Sequence, residues 1–445
     1  MKDVSRTRRA FILGATTVAG GAAALACAPA GGAPPARGTA PVSGTIAFWH
    51  AHGTSGDQYE WMARWASSFE QAAAPAKVEV TGIGLFDIGA KFGTAVAGGS
   101  APDLIAGLGR GTVPNRARLK QTQSLQDRVK RDGLDLNQFW KSTIEETTWQ
   151  GQLYALPYNG TVVVHYWNKA LFREVGLDPE RPAQTWDQLW DYAGRIDLRG
   201  GDGKWARVGF YPLPGSFNWF LSWAWSNGAQ FVAGQGGERK PQLNNPAAVE
   251  TLEHWVRYAR KYTPEGWTEF VGALGSQPGQ DAFTLNRLGA VHNGSQWVRG
   301  VYGRVRELDF GVSTLPARGT RATLAAGGGL EIPAGAQNAE GAWALAKHLL
   351  RPECQQEQVL TFSAVPGTRA GLDAAELRGD ARWRAVDQAM ASSRYVEWVE
   401  GVANWRNNVE RHVAEAMKLN EAPREALDKA QAEVDQELAG YRASR

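Results

Sequence analysis

Thr45-Ile46-Ala47-Phe48-Trp49 is a short apolar run that passes into His50-Ala51-His52-Gly53-Thr54-Ser55-Gly56, a strand followed by a glycine-rich loop. Tyr59, Met62, Ala66 and Phe69 then recur at three- and four-residue steps, the period of an amphipathic helix. Val78-Glu79-Val80 alternates as a second strand. Ile88, Phe92 and Val96 share a helical face, and Asp103-Leu104-Ile105-Ala106 reads as a third strand after Ala101-Pro102. This β-α-β-α-β order predicts an α/β fold, a mostly parallel sheet with helices on both faces. Ligands of such sheets bind outside the carboxyl ends of the strands, so the loops after Trp49 and Ala106 become site candidates.

Farther along, Thr185-Trp186-Asp187-Gln188 carries a capping-box signature before Leu189, Tyr192 and Ile196. Asn245-Pro246 caps and starts a helix with Leu252, Trp255, Ala259 and Tyr262 on one face. Trp343, Ala346 and Leu350 mark a helix after Gly341, and Leu427, Ala430, Val434 and Leu438 mark the last one.

Upstream of Thr45 the sequence changes character. Lys2, Arg6, Arg8 and Arg9 precede an apolar stretch from Phe11 to about Leu25, and Ala24-Leu25-Ala26-Cys27 follows. Residues 1–27 read as an export signal, too short in its apolar part for the roughly 20 residues that span a bilayer. Arg8-Arg9-Ala10-Phe11-Ile12 resembles a twin-arginine signal, and the residues before Cys27 resemble a lipobox with Ala24 where Leu is preferred. Two outcomes stay open: a lipid on Cys27 that holds the protein at the outer face of the membrane, or ordinary cleavage near Ala26 or Ala30. Residues 28–44, rich in Pro, Gly and Ala, read as a disordered tether.

The chain has 48 Lys and Arg against 45 Asp and Glu; the first 27 residues hold four of the former and one of the latter, which leaves 44 of each. A neutral remainder argues against a nucleic-acid partner. With two cysteines, Cys27 and Cys354, a lipid on the first leaves the fold without a disulfide. The 19 tryptophans are unusually many; most suit a Trp-rich core, and a pyranose face is one surface on which surplus indoles stack.

Gly151-Gln152-Leu153-Tyr154-Ala155-Leu156-Pro157-Tyr158, His165-Tyr166-Trp167-Asn168-Lys169-Ala170-Leu171-Phe172, Gly176-Leu177-Asp178-Pro179 and Gly289-Ala290-Val291-His292-Asn293-Gly294-Ser295-Gln296-Trp297 follow in order. Together with Phe48-Trp49-His50, Ala101-Pro102-Asp103-Leu104, Gly327-Gly328-Gly329 and the closing segment Pro423 to Leu438, they resemble the extracellular solute-binding proteins (family 1) of carbohydrate ABC importers. The resemblance implies a two-lobed periplasmic-binding-protein fold of type II, with mixed sheets, discontinuous lobes and crossing segments. Residues 45–157 plus about 312–350 would form the N-terminal lobe, and about 158–311 plus 351–445 the C-terminal lobe. It further implies a monomeric receptor that holds a mono- or oligosaccharide in the interlobe cleft and delivers it to transmembrane permease subunits, with no cofactor and no bond made or broken.

Trp49 and His50 follow a strand's carboxyl end; His50-x-His52 lacks the further ligands of a metal site. Asp87 is either a helix N-cap or a cleft carboxylate. Arg110, in Gly107-Leu108-Gly109-Arg110-Gly111-Thr112, faces a ligand or solvent; the loop fails the dinucleotide fingerprint at Thr112. Tyr158, Asn159 and Thr161 belong to the first lobe crossing, where the short polar groups serve sugar hydroxyls or make a turn. By family position Phe217, Asn218 and Trp219 are nearest the ligand, and on a helix Trp219 and Trp223 share a face. Gln296 and Trp297 offer a stacking surface or core packing; Phe310-Gly311-Val312 through Leu315-Pro316, with Gly328 and Gly329 after it, resembles the second crossing; Trp398, Trp405 and Arg406 fall where relatives present an aromatic or basic residue. A glycerol-3-phosphate or glycerophosphodiester receptor is the alternative ligand class. An exported glycoside hydrolase or surface lectin is the alternative outside transport, but Glu145-Glu146 are neighbours on a surface helix rather than a flanking catalytic pair.

Overall fold

In the computed structural model, which describes residues 42–212, 217–234, 238–275, 277, 279–403 and 405–445, the ordered chain enters a sheet at β1 (Thr45–His50). β2 (Lys77–Gly82) and β3 (Leu104–Gly109) pair with it in parallel, Thr45 opposite Lys77 and Phe48 opposite Leu104. Alternation along β1 decides which helix covers which face. Ile46 and Phe48 pack with Trp61, Met62 and Phe69 of helix Asp57–Ala72, whereas Trp49 turns to Ile88 and Phe92 of helix Ile88–Ala97. The strand-helix order expected from the sequence is therefore present.

Beyond β3 the sheet becomes mixed. The remaining principal strands are β4 (Leu156–Asn168), β5 (Trp205–Phe210), β6 (Leu288–Gly294), β7 (Phe310–Ser313) and β8 (Thr323–Glu331). The order runs β2-β1-β3-β8-β4-β6-β5, with a short strand Leu198–Arg199 beyond β5 and β7 beside β4. β4 is 13 residues long, about 40 Å at the rise of an extended chain. Its first half pairs with β8, Leu156 opposite Leu330 and Val162 opposite Ala325; its second half pairs with β6 and β7. Tyr158 belongs to a core with Ile46, Phe48, Trp61 and Trp343, while Val162 onward belongs to a larger one with Trp186, Trp223, Trp255 and Trp405. Two cores threaded by one continuous strand make the fold two-lobed.

The expected crossing at Pro157 to Thr161, for which a turn was one alternative, is thus a strand. Ladder bonds to β8 satisfy this backbone, and glycines make the approach feasible: a Cβ on Gly328 would stand 2.6 Å from Gly107 Cα, and one on Gly327 would stand 2.1 Å from the Asn159 carbonyl oxygen. Three strands close on one another at this point because those positions carry no side chain.

Caps follow the sequence signals. Thr185 accepts from the Gln188 amide at 3.2 Å and Asn245 from the Ala248 amide at 3.0 Å. The helix expected after Gly341 begins earlier, at Ala339, because Asn338 caps it by accepting from the Gly341 amide at 3.0 Å. Helix Pro352–Phe362 contributes Cys354 and Phe362 to the first core and Val359 to the second. The closing helices Trp405–Met417 and Pro423–Ala443 complete the second core. Cys27, the leader and the tether through Pro41 lie outside the described residues, as do the side chains of Phe217 and Asn218. No described helix is long and apolar enough to cross a membrane.

Candidate functional site

At the carboxyl end of β3 the chain makes one tight turn, Arg110–Thr112, and a cavity of about 250 Å³ opens beside it. Gly109 to Thr112 form one wall, Glu146 and β8 residues Leu324 to Gly327 the floor, and Val396, Glu397, Trp398, Ala403 and Arg406 the opposite wall. An adjoining pocket of about 40 Å³ continues past Glu146 to Trp149, Arg239 and Tyr395. This is where an α/β sheet places its ligands.

The guanidinium of Arg110 organises the floor. Its Nε donates to Glu146 Oε2 at 2.8 Å, and its Nη1 donates to the carbonyls of Asn159 on β4, at 2.6 Å, and Gly328 on β8, at 3.2 Å. The side chain is 2% exposed, so it faces neither open solvent nor a passing ligand with its whole length. Gly327 makes room for it, since a Cβ there would lie 2.5 Å from Nη1. Glu146 sits on helix Lys141–Glu146 and is 6% exposed. The surface helix expected for Glu145-Glu146 is corrected by this: Glu145 is exposed, whereas Glu146 turns inward with Trp140 and Thr143 at three-residue spacing. Burial pushes the Glu146 carboxyl up, against the downward pull of Arg110.

On the opposite wall Trp398 meets Trp149 edge to face, with centroids 5.2 Å apart and planes at 89°. Arg239 and Glu397 pair with one another. Arg406 is exposed and has no ion-pair or hydrogen-bond partner among the described residues. Three sequence candidates, Arg110, Trp398 and Arg406, thus share one cavity with the glycine run of β8.

A second group gathers where β6 ends. Thr161 donates to Gln296, Ser295 Oγ accepts from the Val162 amide at 3.2 Å, and Trp297 packs half-buried on Tyr302 with centroids 5.1 Å apart. The indole of Trp219 donates to the His292 carbonyl, while that of Trp223 donates to His292 Nδ1 at 2.9 Å, as their shared helical face implies. None of these residues lines the cavity beside Arg110.

Several candidates point inward. Tyr158 is fully buried and its hydroxyl ends on Met62 Sδ at 3.0 Å. Trp405 lies in the second core, its indole N–H donating to the Glu397 carbonyl at 3.1 Å. His50 is buried, its Nδ1 accepting from the His52 amide at 3.2 Å, and burial lowers both imidazoles to about 4. Asn159, Gly328 and Gly329 are strand residues whose backbone, rather than a loop side chain, reaches the floor. Trp49 packs half-buried beside Ile83, Ile105 and Leu108.

Asp87 makes no cap bond to the helix it precedes and is exposed. Beside it Phe86 is 96% exposed and Leu85 61%. This loop follows β2, whose carboxyl end lies on the same edge as that of β3 and two strands away, about 10 Å at ordinary strand spacing.

The sequence pattern put Glu146 on a surface helix and did not single out Trp149, Phe86 or Glu397 as site residues. The three-residue steps Trp140, Thr143, Glu146 were the one local signal available, and they place a carboxylate on a buried face.

With this geometry in view the comparisons are decisive at the family level. The profile described as "Bacterial extracellular solute-binding protein" matches residues 64–382, more than half of the chain. The chain belongs to the bacterial extracellular solute-binding proteins. In fold this solute-binding protein is similar to the sugar-binding protein MalE from Xanthomonas citri, with a TM-score of 0.78 at 20% identity over 90% of this chain and 98% of that one. It is also similar to the cyclic alpha-maltosyl-1,6-maltose binding protein from Arthrobacter globiformis, with a TM-score of 0.74 at 19% identity over 89% and 99%. In sequence it is 31% identical over 169 residues to the sn-glycerol-3-phosphate-binding periplasmic protein UgpB of Escherichia coli (strain K12). That match spans 37% of this chain and 38% of the relative's length.

Proposed function

We propose that this solute-binding protein is the extracytoplasmic receptor of an ABC importer, taking a mono- or oligosaccharide in the cavity beside Arg110 and handing it to transmembrane permease subunits. The cavity carries the reading. It lies at a strand's carboxyl end, has the Trp398 indole on one wall with Trp149 packed against it, and has a floor whose charges are internally paired, a surface suited to an uncharged polyhydroxyl ligand. The saccharide-binding proteins that share the fold support the same class.

We take the lobes as 45–157 plus about 312–350 and about 158–311 plus 351–445, with helix Pro352–Phe362 shared between the two cores, and the receptor as a monomer. A ligand that touches both lobes stabilises the closed form by its differential affinity for it. No catalytic step is assigned to any residue. A lipid on Cys27 and a tether through Gly44 would keep the receptor beside its permease; a mass shift of the mature N-terminus tests this.

Arg406 favours a second reading. An exposed cation on the cavity wall without a partner among the described residues suits a phosphate, and the relative of Escherichia coli named above is a glycerol-3-phosphate-binding protein. A thermal-shift screen separates the two. Stabilisation by maltose-type, manno- or xylo-oligosaccharides and not by glycerol-3-phosphate is the expected outcome; stabilisation by the phosphate alone overturns the carbohydrate reading.

A further inference from the structure

The ion pair at the cavity floor is only half used. Nε and Nη1 of Arg110 are engaged by Glu146 Oε2 and by the carbonyls of Asn159 and Gly328. Among the described residues Arg110 Nη2 and Glu146 Oε1 have no hydrogen-bond partner, although both side chains line the cavity and both are more than nine-tenths buried. Neither atom is among the fully buried polar atoms, so both stay open to the cavity that the two side chains line, and together they define what a ligand there must offer. One is a donor only and the other an acceptor only.

A group that accepts at one atom and donates at the next fits this pair. Two adjacent hydroxyls do so: one oxygen accepts from Nη2 while the neighbouring O–H donates to Oε1. An ionised carboxylate or phosphate offers acceptors alone and would leave Oε1 opposed by like charge. The pair is also rigid, because two strand carbonyls and Glu146 hold the guanidinium in place, and fixed donors discriminate well between hydroxyl arrangements.

We propose that Arg110 Nη2 and Glu146 Oε1 together bind a vicinal diol of the ligand, which makes Glu146 a direct ligand contact and the floor the place where hydroxyl arrangement is selected. The inference rests on the carbohydrate reading and names the part of the sugar that this site recognises.

Calorimetry on the full chain tests it with mannobiose, maltose, xylobiose and glycerol-3-phosphate. The disaccharide that binds is then replaced by its monodeoxy analogues, on the wild type and on Glu146→Gln. The expected result is that loss of either of two adjacent hydroxyls weakens wild-type binding by about tenfold or more, as does E146Q with the parent sugar. On E146Q the analogue that lacks the hydroxyl donating to Oε1 loses no more than about twofold further, since that contact is already gone. Full multiplication of the two effects, or wild-type binding indifferent to every ring hydroxyl, overturns the proposal. Should E146Q fail to fold by circular dichroism, the wild-type analogue series decides by itself. If only glycerol-3-phosphate binds, the carbohydrate reading falls, and the diol contact is judged separately by propane-1,3-diol phosphate: equal affinity for it removes the contact, and a loss of about tenfold keeps it.

Discussion

Two buried arginine-glutamate pairs flank the turn after β3, and they differ in what they leave over. Arg116 meets Glu331 through two bonds, Nε to Oε2 at 2.8 Å and Nη2 to Oε1 at 2.5 Å, and its remaining donors reach the Gly109 carbonyl and the Thr112 hydroxyl. Every carboxylate oxygen and every guanidinium nitrogen is occupied. Arg110 and Glu146, on the other side of the turn, share one bond and leave a donor and an acceptor at a cavity. The same chemistry, at equal burial, is closed in one place and open in the other. A saturated pair holds β8 to the turn; an unsaturated one lies where a ligand can complete it.

Breaking the closed pair gives the largest loss of stability. Glu331→Ala strands a buried guanidinium, a mechanism that costs about 3–5 kcal/mol, and urea unfolding should show a lower midpoint with an unchanged slope. Molecules that remain folded should bind ligand as before. Glu146→Gln sharpens the contrast from the other side. The amide still accepts from Arg110 Nε, so the stability loss should be smaller than for Glu331→Ala while ligand affinity falls by about tenfold or more.

A pH prediction follows from the imidazoles that both lobes bury. Burial lowers His50, His52 and His254 to about 4, and His165 to about 3. The unfolded chain binds these protons near pH 6.5 and the folded chain does not, so stability is fully present above about 6.5 and declines as pH falls toward 4. Each unit of depression corresponds to about 1.4 kcal/mol. Unfolding midpoints measured between pH 4 and 7.5 should rise with pH, and a flat profile over that window contradicts the neutral assignment.

The smallest expected effect lies at the rim. Phe86→Ala should leave stability within about 0.5 kcal/mol, as exposed positions do, yet lower affinity for a trisaccharide more than for a monosaccharide if the loop after β2 meets an outer ring. Equal effects on both ligands place Phe86 outside the site.

The contrast between the pairs also marks what local sequence conveys. The parallel strands and their helices were legible because apolar residues repeat at the period of each element, as Ile46 and Phe48 or Ile88 and Phe92 do. The crossing strands were not: Asn159-Gly160-Thr161 and Gly327-Gly328-Gly329 carry turn composition, and only the approach of three backbones explains why those residues are extended. Arg110, Trp398 and Arg406 share the cavity proposed as the site, and they were candidates because the carboxyl end of β3 was expected to bind and the family pattern pointed to the C-terminal segment. Tyr158, His50 and Trp405 are buried and do not line that cavity, because the direction of a side chain at a crossing or a helix start depends on which core reaches it first. Glu146 was placed at the surface because a carboxylate on a short helix ordinarily faces water, and its partner lies 36 residues away.

Titration of one oligosaccharide into the wild type, Glu146→Gln and Glu331→Gln, each at a temperature where circular dichroism shows it folded, tests the central claim most directly. Wild-type affinity in Glu331→Gln with a loss of about tenfold or more in Glu146→Gln is the result this account predicts. Wild-type affinity in Glu146→Gln, whatever the behaviour of Glu331→Gln, would contradict it.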